Sequence, residues 1–316
     1  MRITVLDGFS SKSGNLEWTK ISSIGELTGY EKTESKDIIK RSKESEILLT
    51  NKTVLNKDTL LKLPKLKYIG VLATGYNVVD LKQTALQNII VTNIPAYSTS
   101  SVAQLVFAHI LNITNRVALH SKSVRQGDWC SSKYFTYNLT PQTEIANKTM
   151  GIVGLGNIGM KTAEIANAFD MKVIALTSKK ELPSFIKSVT KNELFRESDF
   201  LSLHCPLTSD TENFINKETL SIMKKTSVLI NTGRGPLVNE TDLSYALNNN
   251  IIAAAGLDVL SKEPADKNNP LLRAKNCFIT PHIAWATSEA KTRLLNIAYN
   301  NIKNFMEGHP INIVHA

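Results

Sequence analysis

Long apolar runs are missing from this sequence. None reaches the ~18 residues a membrane-spanning helix requires, so a membrane is not expected as a partner. Cysteine is scarce as well: three residues, Cys130, Cys205 and Cys277, odd in number and without metal-ligand spacing. That excludes a disulfide framework or a cysteine metal centre as the organising device and fits reduced thiols inside a cell. No other metal-ligand cluster stands out, and no metal is expected. The opening MRITVLDG enters a strand-like run directly, with no apolar leader or small-residue cleavage site, so the expected location is cytoplasmic. Repeats and low-complexity stretches are absent. The net charge of +9 has no basic block behind it: Lys12, Lys36, Lys40, Lys62, Lys65 and Lys67 are scattered, with no aromatics interleaved. Nucleic acid is therefore not expected as a partner, whereas small anionic ligands would be drawn to the positive field.

What is present is an ordinary globular composition, 42% hydrophobic and 21% charged, over 316 residues. That length accommodates two domains of ~150 residues each. The most informative stretch is TMGIVGLGNIG, residues 149–159. A short apolar run leads into Gly154-Leu155-Gly156-Asn157-Ile158-Gly159 and then into KTAEIANAF, whose apolar positions recur at helical spacing. In this strand–turn–helix context each glycine has a task. Gly154 permits the tight turn, Gly156 lets the backbone approach a pyrophosphate, and Gly159 lets the helix lie close to the strand. The amides at the helix start attract phosphate charge, so dinucleotide binding is expected here.

The rest of the chain alternates strand and helix, the pattern of a parallel sheet covered on both faces. Strands are expected at 3–7, 47–50, 68–73 and 89–93, then, after the fingerprint, at 173–176, 200–204, 228–231, 251–257 and 278–280. Thr99–Arg125 reads as one long helix, followed by an aromatic loop with Trp129, Tyr134, Phe135 and Tyr137, residue types that favour subunit contacts. A last helix covers Ser288–Met306. In doubly wound sheets ligands bind beyond the carboxyl ends of the strands. Gly154–Ile158, Cys205–Thr208, Thr232–Arg234, Asp258 and His282 should therefore converge.

Three of the side chains near those strand ends form a plausible chemical set. Arg234, in NTGRG, carries a planar fork suited to a carboxylate. His282, in TPHIAW, is the side-chain type able to supply a proton near neutral pH. Glu263, in SKEP, would stabilise the imidazolium beside it. Such a set suits reduction of a 2-keto acid, in which a hydride reaches C2 and the carbonyl oxygen gains a proton.

Taken in order, NIPAYSTSSVAQ, GIVGLGNIG, LHCPLT, LINTGRG, GLDVLSKEP and TPHIAWAT resemble the D-isomer-specific 2-hydroxyacid dehydrogenases over nearly the whole chain. The resemblance implies an α/β protein of two doubly wound parallel-sheet domains. A Rossmann-like cofactor domain, residues 99–285, is inserted in a flavodoxin-like substrate domain, residues 1–98 and 286–316. It further implies a homodimer formed largely through the cofactor domain. Arg234 would bind substrate, with His282 the acid/base and Glu263 its partner. The backbone of Ala73, Thr74 and Gly75 would cradle the substrate carboxylate, with Trp285 beside the substrate. The coenzyme, NAD(P)H, would meet Val102, Gly154, Gly156, Asn157, Ile158, Gly159, Thr177, Ser178, Lys179, Cys205, Pro206, Thr211, Thr232, Gly233, Asp258, His282 and Ala284. Asp258 would lie near the nicotinamide carboxamide. Within the family, VLDGFSSKSGNLEW, IPAYST, GLDVLSKEPADKNNPLL and Trp285 look most like glycerate dehydrogenases, also called hydroxypyruvate reductases.

One position departs from the NAD pattern. The acidic residue expected ~20 positions beyond the fingerprint, where it binds the ribose 2′-hydroxyl, is replaced by Thr177 in LTSKKE. Thr177 and Ser178 are able to bond a 2′-phosphate and Lys179 or Lys180 to pair with it, so acceptance of NADPH is expected. Other D-2-hydroxy acids, such as D-lactate or 3-phosphoglycerate, are alternative substrates, and a non-catalytic NAD(H)-sensing role is the alternative outside enzymology. Domain closure about hinges near Pro95–Ser101 and Ala284–Ser288 is expected from the layout.

Overall fold

The computed structural model describes residues 1–8 and 18–315. Most of VLDGFSSKSGNLEW, and Lys12 with it, lies outside the described residues. The chain divides into two compact units, one of residues 1–98 with 286–316 and one of residues 99–285.

The smaller unit begins with β1 (Arg2–Val5), α1 (Thr19–Ser22), β2 (Glu26–Gly29), α2 (Ile38–Ser42) and β3 (Ile47–Thr50). It continues with α3 (Lys57–Leu60), β4 (Tyr68–Val71), α4 (Leu81–Leu86) and β5 (Ile90–Thr92). The strands form one parallel sheet in the order β2-β1-β3-β4-β5. Every residue of β3 (ILLT) and β4 (YIGV) is buried, as expected of parallel strands covered on both faces. β2 was not expected. Its ELTG pairs only with β1 at the sheet edge and stays partly exposed, so it carries no apolar signature. Side-chain caps from Asn56 and Asp80 start α3 and α4. After β3, the buried Asp7 carboxylate accepts the backbone N–H groups of Asn51, Lys52 and Thr53 and pins that turn. After β4, the Thr74 hydroxyl donates to Ile94 O at 2.9 Å and Asn93 Nδ2 donates to Thr74 O at 2.8 Å.

The larger unit opens with α5 (Thr99–Asn115) and α6 (Val117–Arg125), where one continuous helix was expected. The break falls at Arg116, whose φ of 51° is left-handed, and the two segments meet at 53°. The side chain of Arg116 accounts for it: the guanidinium lies 4.4 Å from the centroid of Phe278 and bonds Asn276 Oδ1 at 3.2 Å. Beyond an irregular stretch come β6 (Thr149–Val153), α7 (Asn157–Ala168), β7 (Lys172–Leu176), β8 (Ile186–Ser188) and α8 (Lys191–Glu197). Then follow β9 (Phe200–Leu203), α9 (Lys217–Ser221), β10 (Val228–Asn231), α10 (Glu240–Asn248), β11 (Ala254–Leu257) and β12 (Cys277–Ile279). Sheet order is β12-β11-β10-β9-β6-β7-β8, all parallel. Alternate residues feed two cores. Met150, Ile152, Phe200, Val228 and Ile230 join Val106 and Ile110 of α5, whereas Val153, Leu201, Leu203 and Leu229 join Leu194 of α8 and Leu243 of α10. β8 was also missed; it is a three-residue edge strand with two exposed positions. The strand expected from Ile251 starts only at Ala254, because Asn250 takes a left-handed turn.

The chain returns to the smaller unit through α11 (Ser288–Met306), capped by Thr287. Its fully buried Asn301 donates to Asn93 O at 3.0 Å, and Phe305 packs on Tyr68 at 4.8 Å between ring centroids. Among the described residues no single helix is long and apolar enough to cross a membrane.

Candidate active site

The strand order places the switch point between β6 and β9, from which successive strands run in opposite directions across the sheet. The loops after β6 and β9 touch there. His204 N donates to Val153 O at 2.8 Å, and a Cβ added to Gly154 would meet Cys205 N and His204 C at 3.0 Å. From β6 the row of strand ends continues to β9, β10, β11 and β12, about 19 Å at ~4.8 Å per strand. Gly154–Ile158, Cys205–Pro206, Thr232–Arg234, Asp258 and His282 thus follow strands at one edge of one sheet.

The glycine turn fits a phosphate group. Gly154 has φ +88°, which a side chain would strain. Gly159 packs on the carbonyl of Gly154 without room for a Cβ, drawing α7 onto the turn. Gly156 is different: nothing stands within 4 Å of where its Cβ would be, so its backbone faces open space. Gly156 is also the N-cap of α7, and no side chain caps that helix, leaving its first amides for a ligand. At the end of β10, two strands in from β12, the buried Thr232 hydroxyl has no hydrogen-bond partner, which suits a polar group supplied by a ligand. Burial pushes the Cys205 thiol up and pulls the neighbouring His204 down to about 4, so both stay neutral at pH 7. Thr211 spends its hydroxyl within the loop, donating to Pro206 O at 2.7 Å. At the end of β7 the half-buried Thr177 accepts Lys179 N–H at 3.2 Å, with Ser178, Lys179 and Lys180 exposed and no carboxylate at the strand end. Val102 is buried in the first turn of α5.

His282, Glu263 and Arg234 are tied together by short links. His282 Nδ1 lies 2.6 Å from Glu263 Oε2, and Leu260 N donates to the other oxygen of Glu263 at 3.2 Å. Both side chains are about one-third exposed, 29% and 35%. Leu260 in turn packs against Gly235, the neighbour of Arg234, so tightly that no Cβ fits. Arg234 is exposed, and its Nη1 donates to Gly233 O at 2.9 Å. Asn231, which sequence reasoning passed over, shapes this turn: Oδ1 accepts Gly233 N at 3.0 Å and Nδ2 donates to Arg234 O at 2.9 Å. Its signal was an asparagine at a strand end before Thr-Gly, the composition of a side-chain-braced turn.

Asp258 is buried to 1% and does structural duty. Its carboxylate accepts Ile283 N at 2.9 Å, Ala284 N at 2.8 Å and the Thr280 hydroxyl at 2.6 Å, and its carbonyl accepts His282 N at 2.9 Å. Together they hold His282 in a left-handed backbone conformation, φ 53°. Trp285, half-buried, follows this turn. Ala73, Thr74 and Gly75 belong to the other unit, after β4. Among the described residues no group of three or more His, Cys, Asp or Glu could hold a metal ion.

Comparison with known proteins gives the same reading from outside. Residues 107–284 match the model of the D-isomer specific 2-hydroxyacid dehydrogenase NAD binding domain, which establishes a nicotinamide coenzyme. A hydroxypyruvate reductase of Blautia hydrogenotrophica is 43% identical over 99% of both chains. A glycerate dehydrogenase of Methylorubrum extorquens is 39% identical over 92% of each. Among solved structures, an acyclic imino acid reductase in complex with NADPH and D-Arg superposes with TM-score 0.87 at 33% identity, covering 99% of this chain and all of that one. The chain belongs to the D-isomer specific 2-hydroxyacid dehydrogenase family.

Proposed function

We propose that the protein reduces hydroxypyruvate, and as a second substrate glyoxylate, to the D-2-hydroxy acid with NAD(P)H, and catalyses the reverse oxidation. When bound, the reduced nicotinamide supplies the hydride. The observation that carries the reading is the His282–Glu263 contact of 2.6 Å. With Nδ1–H donated to Glu263, the protonated imidazole presents Nε2–H to the substrate. That proton passes to the carbonyl oxygen as C2 gains the hydride, and the neutral imidazole keeps its Nδ1–H on Glu263. Arg234, exposed beside Gly233, holds the substrate carboxylate and polarises the carbonyl. The turn Ala73–Gly75 offers backbone N–H groups to the same carboxylate, and Trp285 packs beside the substrate. In this scheme residues 99–285 are the cofactor domain, and residues 1–98 with 286–316 the substrate domain.

The turn at Thr177, Ser178 and Lys179 takes the 2′-phosphate of NADPH, so NADPH serves at least as well as NADH. The exposed aromatic residues of the loop after α6 are the homodimer contact, and the enzyme works in the cytoplasm on small soluble acids.

The test is a panel of 2-keto acids assayed with both coenzymes, on the wild type and on His282→Gln. Hydroxypyruvate should give the highest kcat/KM, and the variant should lose about 10³-fold or more. Preference for pyruvate or a phosphorylated acid would move the substrate assignment elsewhere in the family. Full activity of the variant would remove His282 from the reaction, and coenzyme binding without turnover of any acid would indicate a sensor.

A further inference from the structure

Behind the His282 turn lies a second histidine that the proposed reaction does not use. His109 sits in the middle of α5, is 4% exposed, and packs its ring on β11, where the missing side chain of Gly256 makes the room. A Cβ on Gly256 would come within 2.7 Å of His109 Cβ and 2.8 Å of Cγ. From that seat His109 Nε2 reaches Thr280 Oγ1 at 3.3 Å, and Thr280 Oγ1 lies 2.6 Å from Asp258 Oδ1.

The direction of these bonds follows from counting protons. A carboxylate only accepts, and threonine has one hydroxyl proton. That proton goes to Asp258, so Thr280 Oγ1 receives the Nε2–H of His109. The imidazole is thus the Nε2–H tautomer, and burial lowers its basicity while the Asp258 charge opposes this only in part. Asp258 in turn carries the amides of Ile283 and Ala284, the two residues after His282, and its carbonyl holds His282 N.

We propose that His109 is a positioning residue: its Nε2–H, passed through the Thr280 hydroxyl, orients the Asp258 carboxylate that holds the left-handed turn carrying His282. A left-handed backbone at a non-glycine residue is strained and persists only where its surroundings over-determine it. Here the over-determination comes from Asp258. Without the Nε2–H the Thr280 hydroxyl can turn from Asp258 toward Leu257 O, 3.5 Å away; the carboxylate then loses that donor, and the turn relaxes toward a commoner conformation. The inference rests on His282 being the acid/base of the proposed reaction.

Three variants test it: His109→Leu keeps bulk against Gly256 but removes the donor, His109→Gln keeps an Nε2 donor at similar reach, and Thr280→Val breaks the link without touching His109. Steady-state kinetics with hydroxypyruvate and NADPH should show kcat lower by about three- to ten-fold in His109→Leu, with both KM values within about two-fold. His109→Gln should recover most of that loss. Wild-type kcat in His109→Leu overturns the proposal, as does an equal loss in Leu and Gln variants, which would mean that packing alone matters. If His109→Leu does not fold, Thr280→Val decides: a reduced kcat with unchanged KM supports the relay, and an unchanged kcat overturns it. His282→Gln, run alongside, separates the two claims. If that variant is dead while His109→Leu behaves as wild type, only the positioning role fails; if it is active, the reading of the reaction fails first.

Discussion

Gly235 has no room for a side chain because the backbone of Leu260 and Ser261 occupies the space its Cβ would take. The contact joins the turn carrying Arg234 to the loop carrying Glu263, with Leu260 N donating to Glu263 Oε1. Gly235→Ala should therefore separate guanidinium from carboxylate. Overpacking of this kind costs roughly 1–3 kcal/mol. We expect a lower melting temperature and a kcat/KM for hydroxypyruvate reduced by about ten-fold or more, at least as large in kcat as in KM. Thermal denaturation and steady-state kinetics on the one variant check both; unchanged kinetics would show that the two loops are not coupled.

The exposed aromatic loop carries a second expectation. Tyr134 is 77% and Phe135 89% exposed, and Trp129, 53% exposed, donates Nε1–H to Phe135 O. Val117 and Leu119 of α6 are exposed as well, and exposed aromatic and aliphatic side chains of this kind suit a subunit contact. Sedimentation velocity should show a dimer for the wild type and a monomer for Tyr134→Asp/Phe135→Asp. A wild type that sediments as a monomer would refute the contact.

Much of this architecture was legible before the structure. The glycine turn announced itself because phosphate binding, tight turning and close packing each demand glycine, and three such demands at fixed spacing leave little choice. Strand ends were readable because buried parallel strands such as VLIN and FLSL are mostly apolar runs, broken only by Asn231 and Ser202. Edge strands β2 and β8 were not, since one unpaired side relieves the requirement for burial. The break at Arg116 was hidden for a different reason. Apolar periodicity continues through it, and the deciding contact, with Phe278, lies far along the chain. The links to Asp258 share that property: Asp258, Thr280 and Ile283 meet only because β11 and β12 pair. Arg234, Glu263 and His282 were readable as residue types, but their connections through Asn231, Gly235 and Leu260 needed coordinates.

Coenzyme choice should turn on Thr177. The residue follows β7 and is half-buried, with Ser178 and Lys179 exposed beside it. Thr177→Asp would offer a carboxylate to the ribose 2′-hydroxyl of NADH and repel the 2′-phosphate of NADPH. We expect kcat/KM with NADPH to fall about ten-fold or more and that with NADH to rise, an exchange of about 1.4 kcal/mol or more in relative binding. If the wild type already prefers NADH strongly, the reading of this turn is wrong, whatever the variant does.

Glu263 should matter through charge rather than through fold. Its Oε2 stands 2.6 Å from His282 Nδ1, and both side chains remain about one-third exposed. An ion pair that accessible contributes on the order of 0–1 kcal/mol to stability, so Glu263→Gln should melt within a few degrees of the wild type. The amide can still meet Nδ1–H through its oxygen, which keeps the ring orientation, at the cost of the bond from Leu260 N, which then faces the amide NH2. What it removes is the negative charge that stabilises the imidazolium, the form that carries the proton to be given up. Turnover of hydroxypyruvate should accordingly drop by about 10- to 100-fold in kcat at pH 7, with KM for the keto acid little changed. A variant that keeps wild-type kcat would mean that Glu263 only holds the ring in place.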